Sequence, residues 1–523
     1  MNKIFKVYVP RDFSSVSVGS DEVAEEIVNQ AKKRNLDIEV IRNGSRGAYW
    51  LEPLVEVETE KGRVGYRNIS IDDVESLFES KFYFGSQNHE KYVGLVEDLD
   101  FFKNQTRITF ERVGLADPLS IKDYQSNSGF LGLKKAISMK SEEIIEEIKK
   151  SGLRGRGGAG FPTGIKWETV FKTDSDKKYV VCNADEGDSG TFSDRMIMES
   201  DPFLLIEGMV IAGLAVGADE GYIYLRSEYP LAKEVLTKAI DLAYKNGYLG
   251  KNILNSGKDF DLEVYVGAGS YVCGEETALL ESLEGKRGVV RPRPPYPAIN
   301  GLWNKPTLIN NVNTLATVPW IIREGGDKYF NYGVGKSRGT IATQLSGNVK
   351  HPGLVEVPFG ISIKGIVYGF GGGTKTGKKV KAALIGGPFG IYIPESMFDI
   401  SIDYESLSKI GGTIGHGSIV VFDEEADLKY LARFAMEFCF IESCGKCAPC
   451  RIGSIRGLEI LDKLLNQGRD ERLISMFVDL SEVMINTSLC GLGGMAPKPI
   501  LSLFKHFPEE FGLFKEDLEK FSF

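Results

Sequence analysis

The chain has 523 residues, which is too long for one hydrophobic core, so about three or four domains are expected. Its 63 basic and 72 acidic side chains give a net charge of −9, which argues against nucleic acid as a partner. The opening stretch "MNKIFKVYVPRD" lacks the continuous apolar segment of a secretion signal. The most apolar stretch, residues 203–218, is short for a membrane span and predicts a buried core helix. We therefore expect a cytoplasmic protein.

Residues 1–85 have the pattern of a small α/β unit. Strand signals in "IFKVYVP" and "LDIEVIRNG" flank an amphipathic helix that starts at Asp21. A hairpin with its turn at Glu60-Lys61-Gly62 follows, and "DDVESLFES" predicts a short helix. Residues 86–130 show no clear period, so we expect a linker or an extended arm there.

The rest of the chain divides by pattern into three parts. Residues 131–340 are rich in glycine and mix strand and helix signals, which predicts an α/β catalytic domain. Short strand signals between glycines follow over 341–423 and indicate a small β-rich module. From residue 424 onward the apolar pattern is helical.

The C-terminal part contains the cysteine motif "ESCGKCAPCRIG". Successive cysteines among Cys444, Cys447 and Cys450 are separated by two residues, so one tight loop can supply three thiolates to an iron–sulfur cubane. Cys490 in "TSLCGLGG" is the best fourth ligand, because its glycines allow the backbone to approach a cluster closely. Structural zinc is the alternative, although zinc ribbons usually have two separated C-x-x-C pairs.

The other three cysteines have no such neighbours in the sequence. Cys182, Cys273 and Cys439 are each expected to be small, buried apolar residues. A disulfide framework is not expected, since such frameworks belong to small chains with denser cysteines.

A glycine-rich loop, "SGLRGRGGAGFPTGIKW", spans residues 151–167. Gly155, Gly157 and Gly160 satisfy the pattern G-x-G-x-x-G, which in a Rossmann fold must follow a strand. The preceding segment predicts a helix instead, with Ser141 as its N-cap and Gly152 just past its end. The Rossmann interpretation therefore fails.

The same loop has the composition of an anion site. Successive glycines expose backbone N–H groups, and Arg154, Arg156 and Lys166 add positive charge, so a phosphate-bearing cofactor fits. A flexible surface turn is the alternative.

Polar side chains gather in three further segments. "VVCNADEGDSGTFSDR" follows a strand signal, and ligand sites of α/β proteins form beyond strand ends; the alternative is a solvated acidic loop. "GAGSYVCGEETALLESLEG" and "PTLINNVNTLATVP" provide either ligand contacts or helix caps. The candidate residues are Asn183, Asp185, Glu186, Asp188, Gly274, Glu275, Glu276, Asn310, Asn311 and Thr314.

Together these stretches resemble the flavin-containing NADH-binding subunit of respiratory complex I, the 51-kDa type, and its relatives. The likeness covers about residues 130–505 and rests on five motifs in order, "GLRGRGGAGFPTGIKW", "CNADEGDSGTF", "GSYVCGEETALL", "NNVNTL" and "ESCGKCAPCRIG". The resemblance implies three cofactors, FMN, NAD and a 4Fe-4S cluster. It implies FMN contacts at Gly155, Arg156, Gly157, Lys166, Asn183, Asp185, Tyr271, Gly274, Glu275, Asn310, Asn311 and Thr314. It implies NADH contacts at Phe161, Glu186, Asp188, Glu276 and Tyr296, and cluster ligation by Cys444, Cys447, Cys450 and Cys490.

Two positions depart from the family pattern. Asp188 stands where complex I members carry Glu, and Thr169 stands where they tend to carry an aromatic residue. Stacking on adenine is then expected to depend more on Phe161 and Tyr296.

The N-terminal unit, with "RNGSRGAYWLEPLVEVET", resembles the thioredoxin-like extension of the β (diaphorase) subunit of NAD-dependent, molybdenum-containing formate dehydrogenases. Related modules hold a 2Fe-2S cluster on four cysteines, but this unit has no cysteine and is expected to be a docking element. Bifurcating hydrogenase subunits of this family usually add a C-terminal ferredoxin-like domain with eight cysteines. The sequence reaches Phe523 without that pattern, so we do not expect this branch.

The expected fold class is α/β and α+β multidomain. It comprises a thioredoxin-like domain (1–85), a linker (86–130), an α/β FMN- and NAD-binding domain (131–340), a small β-grasp-like domain of the SLBB type (341–423) and a helical 4Fe-4S domain (424–523).

The expected function is the diaphorase subunit of a formate dehydrogenase, which passes electrons between iron–sulfur clusters, FMN and NAD. The expected partners are a thioredoxin-like γ subunit with a 2Fe-2S cluster and a large molybdenum-containing subunit. The alternatives are the same module in complex I or in a bidirectional hydrogenase, and, from another class, a zinc-stabilised nucleotide-binding scaffold. No catalytic residue is expected beyond those that hold cofactors. Glu186 and Asp188 should repel a 2′-phosphate, so NAD is expected over NADP.

Overall fold

The computed structural model describes residues 4–518. Within that range the chain forms two five-stranded sheets, one four-stranded sheet and one two-stranded ribbon, with helices packed between and after them. The fold is therefore the mixed α/β multidomain type expected from the sequence.

The N-terminal unit is a five-stranded sheet in the order β2-β1-β3-β4-β5. Val23 and Ile27 on the apolar face of α2 are fully buried in its core. The strand β5 pairs with β4, so the sheet continues past residue 85 into the segment for which a linker was expected. The elements are β1 (Phe5–Tyr8), α1 (Phe13–Val16), α2 (Ser20–Lys33), β2 (Ile38–Ile41), β3 (Val55–Thr59), β4 (Gly62–Tyr66), α3 (Val74–Glu79) and β5 (Tyr92–Leu95).

The segment after β5 is fixed to the rest of the molecule. The buried Glu356 carboxylate accepts hydrogen bonds from the backbone N–H groups of Ile108, Thr109 and Phe110 at 2.9–3.0 Å. Three short helices lie here, α4 (Asp100–Lys103), α5 (Ile121–Ser126) and α6 (Leu131–Ile137).

The central part is built on a parallel sheet in the order β8-β7-β6-β9. The apolar stretch 203–218 forms the buried helix α10, as expected; its Glu207 accepts hydrogen bonds from Phe130 N and Leu133 N at 2.8 Å. The elements are α7 (Ser141–Ser151), α8 (Thr163–Lys172), β6 (Tyr179–Ala184), α9 (Ser193–Ser200), α10 (Pro202–Val216), β7 (Glu220–Leu225), α11 (Pro230–Lys245), β8 (Asp261–Val266), α12 (Glu276–Leu283), β9 (Thr307–Asn311), α13 (Val312–Glu324) and α14 (Gly326–Phe330).

Helix α7 precedes the glycine loop, so the loop does not follow a strand and the Rossmann interpretation is excluded. The helix ends as expected at Gly152, which has a left-handed backbone. Its N-cap is Lys140 rather than Ser141, because the Ser141 hydroxyl donates to Leu214 O at 2.8 Å instead of capping the helix.

The next part holds the two-stranded ribbon and a second five-stranded sheet in the order β13-β12-β16-β14-β15, with β12 and β16 parallel. The short strand signals predicted between glycines over 341–423 are confirmed by strands β12 to β16. The elements are β10 (Gly333–Val334), β11 (Ser337–Arg338), β12 (Thr340–Gly347), β13 (Gly353–Pro358), β14 (Val380–Ile385), β15 (Ile391–Pro394), α15 (Tyr404–Lys409) and β16 (Ser418–Asp423).

The C-terminal part is helical, as the apolar pattern predicted. The elements are α16 (Leu428–Glu442), α17 (Ala448–Gln467), α18 (Glu471–Thr487), α19 (Gly491–Met495), α20 (Lys498–His506) and α21 (Lys515–Leu518). Across the described residues, no helix combines the length and apolar character that crossing a membrane requires.

Candidate flavin, nucleotide and cluster sites

The candidate flavin site lies at the carboxyl edge of the parallel sheet. Strands β6 and β9 are neighbours, and Asn183 is in register with Asn311 at their ends. The acidic turn that follows β6 and the asparagines that end β9 are therefore adjacent. This is the edge at which open α/β sheets bind ligands.

The glycine loop approaches this edge with its backbone. Gly155 N donates to Phe161 O at 2.9 Å, and Arg154 Nε donates to Gly160 O at 2.6 Å, so the loop closes on itself. A Cβ atom added to Gly157 would lie 3.0 Å from Asn311 Cβ. The close approach leaves backbone N–H groups near the sheet edge, and this fits a phosphate-bearing cofactor.

The loop arginines point away from that cradle. The Arg156 side chain is buried and donates to Tyr329 OH at 2.9 Å and Arg338 O at 3.0 Å. Arg154 pairs with Glu405 at 2.7 Å. Both guanidinium groups thus have protein partners, while Arg156 N donates to Thr314 Oγ1 at 2.8 Å beside the edge. Contact of either arginine with an anion stays a prediction.

Of the three cationic residues expected to bind an anion, Lys166 is the one whose side chain lies at the carboxyl edge of the sheet. Its ammonium group lies 3.3 Å from Glu276 Oε2 and donates to Ile309 O at 3.1 Å. Glu276 also accepts from Arg293 at 2.9 Å. The neighbouring Glu275 caps α12 by accepting from Thr277 N and Ala278 N. A lysine and two carboxylates thus meet at the sheet edge.

The asparagines of the edge are held by defined partners. Asn183 Nδ2 donates to Gly274 O at 2.8 Å. Asn310 Oδ1 accepts from the indole N–H of Trp167 at 2.8 Å. Asn311 caps α13 through Thr314 N, so the capping role left open by the sequence is present at this position.

The three acids of the turn have different environments. Glu186 is 1% exposed, and its oxygens accept from Asp194 N and Arg195 N at 3.0 Å, at the start of α9. Asp188 Oδ1 accepts from Tyr271 OH at 2.7 Å. Burial raises the pKa of all three carboxyl groups, and that of Asp185 to about 7. Glu186 is buried, and Asp185 and Asp188 are half-buried, so the turn is not a freely solvated acidic loop.

His416 is a residue of this site that the sequence did not predict. This residue belongs to the loop before β16, yet its Nε2 lies 3.0 Å from Asp194 Oδ2 and 3.8 Å from Glu186 Oε1. Burial alone would lower the His416 pKa, but the carboxylates of Asp194, Glu186 and Asp188 raise it to about 10. The one signal in the sequence is a lone histidine between Gly415 and Gly417.

Two predicted nucleotide contacts are exposed aromatic rings. Phe161, at the end of the glycine loop, is 50% exposed, and Tyr296 is 55% exposed. Large exposed rings beside a polar site can stack on a planar ligand, which gives both residues an available surface.

The cysteine site is assembled as the spacing predicted. Cys444 and Cys447 lie in the turn between α16 and α17, Cys450 lies in the first turn of α17, and Cys490 immediately precedes α19. All four pack into one apolar cluster. A Cβ atom added to Gly493 would lie 2.7 Å from Cys450 Cβ, so the glycines after Cys490 do permit a close approach.

The donor set favours a cubane over zinc. One C-x-x-C-x-x-C run supplies three thiolates and Cys490 supplies the fourth, whereas structural zinc usually takes two separated C-x-x-C pairs.

Cys439 is closer to this site than its sequence position indicated. It is fully buried in α16, and a hydrogen bond with Cys450, followed by burial, raises its pKa. The same bond lowers the pKa of Cys450 to about 7. Cys439 is thus buried in the apolar cluster, as expected, and the fold also places it beside Cys450, which its sequence position does not show.

The two sites are joined through Tyr271. The Tyr271 ring packs edge-on against Phe438 of α16 with centroids 5.0 Å apart. Tyr271 N donates to Glu442 Oε2 at 3.0 Å, two residues before Cys444. One short segment thus contacts both the acidic turn and the cysteine loop.

Comparison with known proteins agrees with both sites. The family model of the Nuo51 FMN-binding domain matches residues 148–320, and that of the NADH-ubiquinone oxidoreductase-F iron-sulfur binding region matches residues 430–513. The NADP-reducing hydrogenase subunit HndC of Solidesulfovibrio fructosivorans is 47% identical over 79% of this chain and 84% of its own length. A subunit of the NADH-quinone oxidoreductase of Aquifex aeolicus (strain VF5) is 45% identical over 76% of this chain and 92% of its own length.

A solved structure resembles nearly the whole chain. The crystal structure of an NAD+-reducing nickel–iron hydrogenase in the H2-reduced state matches 99% of this chain and 84% of its own, with 25% identity and a TM-score of 0.69. Shared motifs, matching family models and the geometry of both sites lead to one assignment. The chain belongs to the 51-kDa family of NADH-oxidising flavoprotein subunits, and it is an oxidoreductase subunit that acts on NADH and holds FMN and a 4Fe-4S cluster.

Proposed function

We propose that this chain is the NADH-binding electron-transfer subunit of an NAD(P)-reducing hydrogenase. The likeness that extends over 99% of the chain to an NAD+-reducing hydrogenase carries this proposal, because it includes the N-terminal unit. The 47% identity to HndC supports it independently.

A formate dehydrogenase diaphorase is the second candidate. It is favoured by the cysteine-free N-terminal unit and by the resemblance of "RNGSRGAYWLEPLVEVET" to diaphorase extensions of the thioredoxin-like type. The hydrogenase relative supports the first candidate, and the NADH-quinone oxidoreductase relatives fit a complex I subunit equally well. In either complex we expect partners with further iron–sulfur clusters.

The roles of the residues follow from their positions. When bound, FMN supplies the exchange between two-electron hydride chemistry and one-electron transfer to the cluster. The Lys166 ammonium binds anionic oxygens, and Glu275 and Glu276 accept hydrogen bonds from hydroxyl groups. Phe161 and Tyr296 would offer exposed rings for the nucleotide to stack on, and Cys444, Cys447, Cys450 and Cys490 would hold the cluster.

The test is to purify the tagged full-length chain anaerobically from its host with everything that accompanies it, and to measure metals per chain. Nickel together with iron supports the hydrogenase, and molybdenum or tungsten with iron would replace it by the formate dehydrogenase. Iron alone would indicate complex I or a free diaphorase. Zinc without iron would contradict the cluster assignment itself.

A further inference from the structure

His416 completes the flavin edge from a different part of the chain. His416 lies in the loop between α15 and β16, so it belongs to the part of the chain that forms the second five-stranded sheet. The acids that it contacts, Glu186 and Asp194, belong instead to the part built on the four-stranded parallel sheet. Gly415, its neighbour, forms a β-bridge with Gly158 of the glycine loop. The loop that carries His416 is therefore a wall of the same site.

Two contacts hold the His416 loop in place. The His416 carbonyl accepts from Gln344 Nε2 at 2.6 Å. The other end of that amide, Gln344 Oε1, accepts from Ser193 N at 2.9 Å, at the start of α9. One glutamine thus fixes the histidine loop to the helix that carries Asp194.

The surroundings of the imidazole favour a positive charge. Its Nε2 faces Asp194 Oδ2 at 3.0 Å and Glu186 Oε1 at 3.8 Å, so this nitrogen must carry a hydrogen. Its side chain is 10% exposed, and two buried carboxylates without a counter-charge would be costly. Two arginines also lie near the turn, but Arg226 donates to the Glu186 backbone carbonyl and Arg195 donates to Ser14 Oγ. His416 Nε2 instead lies at salt-bridge distance from both carboxylates.

The same nitrogen lies 3.4 Å from Asn311 Nδ2, a predicted FMN contact. We propose that His416 is a protonated positioning residue of the flavin site, and that its charge raises the reduction potential of the bound FMN. When a flavin takes up two electrons and fewer than two protons, the reduced flavin is negatively charged. A nearby cation then stabilises the reduced flavin relative to the oxidised flavin, which raises the reduction potential. This inference rests on the proposed function, because it requires FMN at this edge.

The test is a potentiometric titration of the flavin in the FMN-loaded full chain and in three variants. Without the cation, His416→Gln should bind reduced FMN about tenfold more weakly relative to oxidised FMN, which lowers the two-electron potential by about 30 mV. The double variant His416→Gln/Asp194→Asn removes one charge of each sign and should return the potential toward that of the wild type. The control is His351→Gln, a histidine of the same sheet region that stacks on Trp50 at 4.3 Å and should leave the potential unchanged.

The outcomes are distinct. An unchanged flavin potential in His416→Gln with FMN bound would overturn the inference and leave the proposed function intact. Failure of the wild-type chain to bind FMN would instead remove the proposed function. Should His416→Gln not hold FMN, hydrogen exchange at the histidine C2 position of the wild-type chain decides the question. Protonation of His416 at pH 8 supports the inference, and a neutral imidazole at pH 8 overturns it.

Discussion

The cysteine site and the flavin edge differ in how the chain builds them. Three of the four predicted cluster ligands lie within seven residues of one turn, and the fourth immediately precedes the short helix α19. The flavin edge instead combines a loop near residue 155, strand ends near 184 and 311, and a histidine at 416. A site encoded by local spacing can be identified from the sequence, whereas a site assembled by packing shows its full composition only in the fold.

The largest effect is expected at the cysteine site. Replacing Cys490 by Ala removes the only predicted ligand outside the motif, so the chain should lose nearly all cluster iron and its broad visible absorption. Iron per chain measures the effect. Cys182→Ala, a buried cysteine in β6, is the matched control and should keep its iron. Full iron content in Cys490→Ala would mean that another residue is the fourth ligand.

The next largest effect is expected at the flavin edge. The Lys166 ammonium group lies at this edge, whereas the side chains of Arg154 and Arg156 bind partners elsewhere. Lys166→Met should weaken FMN binding about tenfold to a hundredfold, since a hydrogen bond to a charged group contributes about 1.5–3 kcal/mol. Quenching of flavin fluorescence gives the dissociation constant. Lys172→Met, on the same helix with a side chain 67% exposed, serves as control. Equal FMN affinity in the two variants would exclude Lys166 as a ligand.

A smaller effect is expected at Glu186. Its carboxylate adds negative charge near the nucleotide, so Glu186→Gln should reduce the preference for NADH over NADPH about fivefold, or ~1 kcal/mol. The ratio of kcat/KM values for the two nucleotides measures this preference. Glu199→Gln, a buried acid on the adjoining helix α9, is the control. An unchanged ratio in Glu186→Gln would remove the charge argument for NAD.

The last expected effect is on stability and lies outside both sites, where Glu199 Oε2 accepts from Phe13 N at 2.8 Å and Oε1 is buried without a partner. Burial raises the pKa of Glu199 to about 8, so the folded chain keeps a proton that the unfolded chain has released. Stability from this group therefore falls as pH rises from about 5 to 8, by at most about 1.4 kcal/mol per pH unit.

Glu199→Gln should remove that one-proton dependence. Thermal unfolding at pH 6 and pH 8 should show a smaller loss of melting temperature in the variant than in the wild type. The exposed Glu482→Gln provides the control. A wild-type slope that persists in Glu199→Gln would mean that this carboxyl group is ionised in the folded chain.

The sequence predicted those features that depend on neighbours along the chain. The helix before the glycine loop, the strand before the acidic turn and the cysteine spacing are all local, and each was correctly predicted. The partners of the Arg156 side chain were not predicted, because Tyr329 and Arg338 lie more than 150 residues away along the chain. His416 was missed for the same reason, since only folding brings it to Asp194.

The contact between Tyr271 and Glu442 has a consequence for the order of maturation. Glu442 is two residues from the first cluster cysteine, so insertion of iron and sulfur fixes the same segment that holds Tyr271 against Asp188. We expect a chain that has not received its cluster to bind nucleotide less tightly. Such a coupling would prevent NADH from reducing the flavin of a subunit that has no cluster to accept the electrons.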